Sequence, residues 1–177
     1  ELLLAGDVVG VDGTNTDFRL MSGVRTQIGV VAVNYAGEKI QHAFFISEAS
    51  FRDDVADVIE VIRERNIMNE NMPSMYVRGL RNYRERELGF HEKFKNKFVM
   101  IHGQLLPFEL MSGLGSLRAL DTTLDLLRNL VREKRFFSVL SSTSFQEYLT
   151  LGTALEPGQY FAVKNFSLGA YIANTGN

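Results

Sequence analysis

The hydrophobic period changes along this chain, and that change sets the class of fold. Up to residue 46 the apolar residues fall in β-branched runs: Val8-Val9-Gly10-Val11, then Val24 to Tyr35, then Lys39 to Ile46 in loose alternation. Such runs, parted by Asp12-Gly13-Thr14-Asn15 and Ala36-Gly37-Glu38, read as strands divided by turns. The first strand is expected to end at Asp12, and the second and third to pair as a hairpin. From Phe51 the spacing lengthens. Phe51, Val55, Val58, Ile59 and Ile62 recur at three and four residues behind Ser50 as a cap, which predicts an amphipathic helix. A second helix is expected from Pro73, in its first turn, to about Phe94. Phe98-Val99-Met100-Ile101 is a buried-type strand ended by His102-Gly103, followed by a helix from about Ser116 to Lys134. Phe136 to Leu140 and Tyr160 to Val163 read as further strands around a short helix at Thr143 to Leu151. The order β-β-β-α-α-β-α-β-α-β predicts an α/β fold, a mixed sheet covered by helices with crossovers of the βαβ kind.

Composition narrows the function. With 45% hydrophobic residues over 177 positions, one core is expected, so residues 1–177 are read as a single domain. A net charge of −2 excludes a global basic field, and any nucleic-acid contact must come from local patches. The absence of cysteine removes disulfide frameworks, zinc fingers, thiolate metal sites and cysteine nucleophiles. No apolar run approaches the ~18 residues that span a bilayer, so no membrane association and a cytoplasmic location are expected. The phosphate-binding loop, dinucleotide, zinc-protease and nucleophile-elbow motifs are all missing.

Three places carry candidate chemistry. Asp12 is an acid at the end of an opening hydrophobic strand, on the edge where α/β sheets build their sites. His102 ends its own strand in the same way, so the two converge if the strands are neighbours. In the second helix, Tyr76, Leu80, Tyr83, Phe90 and Phe94 fall within about 40° of one line at 100° per residue, and Glu87 lies on that line. A carboxylate facing a sheet needs a cation, a donor or a metal to meet it. Glu85 points elsewhere and, four residues from Arg81, reads as a solvated ion-pair partner. Arg78, Arg81, Arg84, Arg86, Lys93, Lys95 and Lys97 outnumber Glu85, Glu87 and Glu92 in that stretch, and with interleaved tyrosines they suit a phosphate backbone. Two carboxylates and a third polar group on one sheet edge suit a divalent-cation site for phosphodiester hydrolysis. An internal echo is also present: Phe18-Arg19-Leu20-Met21-Ser22-Gly23 recurs, with one change, as Phe108-Glu109-Leu110-Met111-Ser112-Gly113.

Val9-Gly10-Val11-Asp12-Gly13 followed by Ser22-Gly23, the Arg/Glu-rich helix Arg78 to Glu87, and Phe98-Val99-Met100-Ile101-His102-Gly103-Gln104-Leu105 together resemble the NurA nuclease family over roughly residues 8 to 140. The resemblance implies a ribonuclease H-like sheet and a manganese-dependent DNA nuclease, Mg²⁺ being the second candidate ion, working in end processing with a HerA-type hexameric ATPase. It implies Asp12 as a metal ligand and Glu85 or Glu87 as the helix carboxylate, with Glu87 preferred on the helix stripe. Arg78, Arg81 and Arg84 are then the residues expected to touch DNA, and the chain is expected to form a homodimer. Where the family's strand ends in aspartate, this chain has His102, which disfavours Mg²⁺ and still permits Mn²⁺. The family's later carboxylate and histidine have no counterpart before Asn177, so the chain ends either at a natural terminus or short of a C-terminal portion that would complete the site. The alternative reading is a catalytically degenerate relative that binds DNA or docks an ATPase.

Overall fold

The computed structural model describes residues 1–21, 23–47, 72–112, 120–140, 150 and 153–160. The chain divides into two compact units, Glu1–Ser141 and Ser142–Asn177. In the first lie β1 (Val8–Leu20), β2 (Gly23–Asn34), β3 (Lys39–Ser47), α1 (Met72–Gly89), a 3₁₀ turn (Glu92–Phe94), β4 (Phe98–His102), α2 (Phe108–Met111), α3 (Leu120–Arg132) and β5 (Phe136–Val139). In the second, a turn is closed by the Gln159 amide donating to the Glu156 carbonyl at 3.0 Å.

The five strands form one sheet in the order β3-β2-β1-β4-β5. β1, β2 and β3 pair antiparallel, whereas β4 and β5 join β1 in parallel. This is the α/β fold, a mixed sheet flanked by helices, expected above. The β2–β3 hairpin, β4 and β5 stand where the apolar runs place them. The helix expected at Ser50 to Ile62, the one at Thr143 to Leu151 and the strand at Tyr160 to Val163 lie outside the described residues or run into them only at Thr150 and Tyr160.

Two expectations are corrected. β1 does not stop at Asp12 but runs on to Leu20, because β2 supplies a continuous antiparallel ladder from Val9↔Asn34 to Leu20↔Gly23. Those hydrogen bonds outweigh the turn preferences of Asp12-Gly13-Thr14-Asn15. The parallel partner is lost much sooner, since the β1–β4 register ends at Val11↔Ile101. The second helix ends at Gly89 rather than near Phe94. Phe90 then stacks against Phe136 with ring centroids 4.6 Å apart, and Phe94 enters the core from the 3₁₀ turn.

Burial follows the period of two. Val9 and Val11 of β1, Ile28, Val30 and Ala32 of β2, and Val99 and Ile101 of β4 turn to the core, where Val77, Leu80 and Leu88 of α1 meet them. A second cluster joins Tyr83 of α1 to Leu110 of α2 and Leu127 of α3. Helix α1 is therefore buried on two sides, against the sheet and against the two later helices. Each such Leu, Val or Ile contributes about 1.5–3 kcal/mol when fully buried.

A polar network ties the sheet's other end. The Asn34 amide donates to the Gly6 carbonyl at 2.8 Å and to Glu38 at 2.6 Å, and the Lys97 ammonium donates to Gly6 at 2.9 Å and pairs with Glu38 at 2.8 Å. The Lys97 hydrogen bond, then the one from Asn34, holds the Glu38 carboxyl below its ordinary 4.5. A depressed folded-state pKa contributes stability that is present above 4.5 and lost as pH falls through the lower folded value. Urea denaturation of the protein and of Glu38→Gln should therefore show a gap in midpoint at neutral pH that narrows on acidification below 4.5; a gap constant with pH would refute the linkage.

Candidate functional site

A cleft of about 520 Å³ opens where β1 outruns β4. It is lined by Asp12 and Gly13 of β1, by Arg81, Asn82, Glu85 and Arg86 of α1, and by His102 and the chain that follows it. Strand alternation decides who points where. Val9 and Val11 face the helices, so Gly13 does too and Asp12 faces the other way; Val99 and Ile101 face the helices, so His102 joins Asp12. Both side chains stand exposed at the sheet's edge, with His102 Nδ1 3.5 Å from Asp12 Oδ1. The same Asp12 oxygen accepts the Gly13 amide at 2.9 Å.

Gly13 lets the helix come close. A β-carbon there would sit 2.6 Å from Glu85 Oε1 and 3.0 Å from Arg81 Cγ, so any side chain would push the helix carboxylate away. Glu85 is 3% exposed and lies against β1. Its carboxylate meets Arg81 Nε at 3.3 Å through Oε1 and accepts from Arg86 at 3.2 Å through Oε2. Burial pushes the Glu85 carboxyl above its ordinary value and the Asp12 charge adds to this, while Arg86 and Arg81 oppose it. Arg81 also donates to Asn15 Oδ1 at 3.1 Å.

Arg86 is 1% exposed. Besides Glu85 it donates to the carbonyls of Asn82 at 2.8 Å, Leu105 at 3.0 Å and Gln104. Gly103 makes this possible: its φ of +92° turns the chain sharply after His102 and aims the next two carbonyls at α1. Burial pushes the Arg86 guanidinium below its ordinary value, with Glu85 opposing.

The structure thus brings Asp12, His102 and Glu85 together, and it reverses the two glutamates. Glu87 is exposed, accepts from Arg84 at 2.6 Å and does not line the cleft. The stripe that pointed Glu87 inward rested partly on Phe90 and Phe94, which lie beyond α1, and took a helix buried on two sides for one buried on a single side. Arg81 lines the cleft. Arg78 reaches its rim by pairing with Glu109 at 3.2 Å, and Arg84 is turned away, 5.5 Å over the Phe44 ring. Asp121 is exposed and Asp125 pairs with Arg128 at 2.9 Å, so neither joins the cleft. Sequence reasoning missed Arg86, Gln104, Pro107 and Glu109 as lining residues. The one available signal was Arg86 beside Glu85 in a helix that packs inside the molecule.

Removing each glutamate should separate them. Glu85→Ala strips a buried guanidinium of its counter-ion and should cost about 3 kcal/mol, whereas Glu87→Ala removes an exposed pair and should cost less than about 1 kcal/mol. Urea midpoints at neutral pH measure both, and equal losses would contradict the assignment of the buried carboxylate to Glu85.

Among solved structures the chain is similar to NurA nucleases. The NurA nuclease from Sulfolobus solfataricus aligns at a TM-score of 0.43 and 12% identity, over 77% of this chain and 47% of that one. A NurA structure with manganese aligns at 0.38 and 15%, over 89% and 39%, and one bound to dAMP and manganese at 0.36 and 13%, over 96% and 44%. The chain spans less than half the length of each of these. No protein-family model and no curated protein matches it.

Proposed function

We propose that this chain carries the core of a divalent-metal-dependent DNA nuclease, a phosphodiester hydrolase of DNA end processing, with its site in the cleft between α1 and the ends of β1 and β4. The observation that supports the reading is the meeting of Asp12, Glu85 and His102, from three different elements, on one cleft. Among the described residues no three His, Asp or Glu side chains gather tightly as a metal centre. Asp12 and His102, however, bring a carboxylate oxygen and an imidazole nitrogen to 3.5 Å, a separation that two ligands of one ion span with bonds of ~2.1 Å. A hard oxygen beside an imidazole suits Mn²⁺ better than Mg²⁺. When bound, such an ion polarises a phosphoryl oxygen and supplies an activated water.

The chain's own residues have distinct parts in this reading. Asp12 holds one oxygen on the Gly13 amide and turns the rest of its carboxylate to solvent. Glu85, gripped by two arginines, is not a free ligand; its charge steadies Arg81 at the cleft wall, where a phosphate would meet a guanidinium. Of the three arginines expected to touch DNA, Arg81 and Arg78 stand at the cleft and its rim, and Arg84 does not. A HerA-type ATPase and a second copy of the chain are the partners this reading carries with it.

One observation favours the second reading, a non-catalytic DNA-binding or ATPase-docking module. Both Glu85 oxygens are engaged by guanidinium, which leaves a single unshielded carboxylate, Asp12, in a position to bind a cation. Degradation of an end-labelled DNA duplex decides between them. The nuclease reading expects Mn²⁺-dependent degradation that Asp12→Ala reduces to the level of a metal-free control and Glu87→Ala leaves unchanged. A wild-type protein inert with both Mn²⁺ and Mg²⁺ would give the case to the binding module.

A further inference from the structure

We infer that Arg86 is a positioning residue for the cleft: its buried guanidinium fastens α1 to the segment after β4 and thereby holds His102 against Asp12. The inference deepens the nuclease reading, on which its metal-binding consequence rests, but the fastening itself is independent of that reading.

Four acceptors meet on one side chain. Asn82 and Glu85 belong to α1 itself, and Gln104 and Leu105 lie two and three residues beyond His102. A charge buried to this degree is stable only when its donors are all met, and the planar fork of arginine meets several acceptors at once where an ammonium cannot. Gly103 at φ +92° has open space where a β-carbon would stand, and its amide donates to the Val139 carbonyl of β5 at 2.9 Å. β5 thus holds the near side of the turn, and Arg86 holds its far side through the Gln104 and Leu105 carbonyls. His102 is the last residue of β4, paired through Val139 of β5 and beyond the end of the β1–β4 register. Its distance from Asp12 therefore depends on two holds, the β5 ladder at His102 and Gly103 and the Arg86 fork on the segment that follows.

The same guanidinium contacts Glu85, so the helix carboxylate and the histidine-bearing segment move as one piece. Arg84, two residues earlier in α1, provides the contrast: it is half-exposed, pairs with Glu87 and touches no loop carbonyl in the cleft.

The test has three readouts. In Arg86→Lys, which keeps the charge and loses the fork, amide hydrogen exchange at Gly103 to Leu106 should accelerate about tenfold or more, while the amides of β2 keep their protection and Arg84→Lys leaves every site unchanged. The Mn²⁺ dissociation constant, followed by the paramagnetic resonance of the free ion, should rise about tenfold to a hundredfold in Arg86→Lys. In the wild-type protein the Arg86 Nε–H should be resolved by nuclear magnetic resonance as a slowly exchanging proton coupled to the Leu105 carbonyl. This last measurement needs no variant and stands even if Arg86→Lys does not fold. Wild-type exchange at Gly103 to Leu106 in the lysine variant, or a rapidly exchanging Arg86 Nε–H in the unaltered chain, overturns the positioning role. A wild-type protein that binds no Mn²⁺ while the exchange and proton results hold overturns the nuclease reading and leaves the fastening in place.

Discussion

A guanidinium almost wholly removed from water cannot be left short of partners, and in this chain that requirement organises the end of the sheet where the cleft lies. Arg86 lies between a helix and a loop and is met by a carboxylate from the first and carbonyls from both. Glu85 is in turn buried because Gly13 leaves room for it beside β1. A side chain at Gly13, or a neutral residue at Glu85, disturbs the whole set, since an unpaired buried charge costs more than the pair itself contributes. Arg135 repeats the device just beyond, where α1 ends, donating to the carbonyls of Gly89 and Phe94 while its guanidinium lies 4.5 Å over the Phe136 ring.

Much of the fold was legible in the sequence, for a physical reason. β-Branched runs with a period of two and no competing helical spacing have one stable use, so β2, β3, β4 and β5 stand within a residue or two of their runs. The neighbourhood of Asp12 and His102 was legible as well, because two short hydrophobic runs that each end in a polar residue and glycine place those residues side by side when the strands are parallel. What could not be read was decided by partners distant in the chain. Asp12-Gly13-Thr14-Asn15 has the local chemistry of a turn and becomes mid-strand because β2 lies alongside it. Glu85 and Glu87 are told apart by α2 and α3, which bury a second side of α1 that no single helical stripe describes.

The echo between residues 18–23 and 108–113 makes the same point. Phe18-Arg19-Leu20 ends a long strand, whereas Phe108-Glu109-Leu110-Met111 is a short helix. The strand copy is paired with β2 and exposed; the helical copy buries Leu110 against Tyr83 and Leu127. The shared residues have no strong preference of their own, and the shape of each copy is that of its surroundings.

The step between β1 and β4 also bears on how this cleft can vary. Asp12 is mounted on a strand whose side-chain direction alternates with every residue, so inserting or deleting one position within Val8–Val11 would swing the acid to the helix side and bring a hydrophobic side chain to the edge in its place. The chain beyond Leu106 is under no such parity rule, and lengthening it leaves both partners of the Asp12–His102 pair where they are. Change in this region is therefore expected to accumulate downstream of the loop, with the strand upstream of the acid fixed in length.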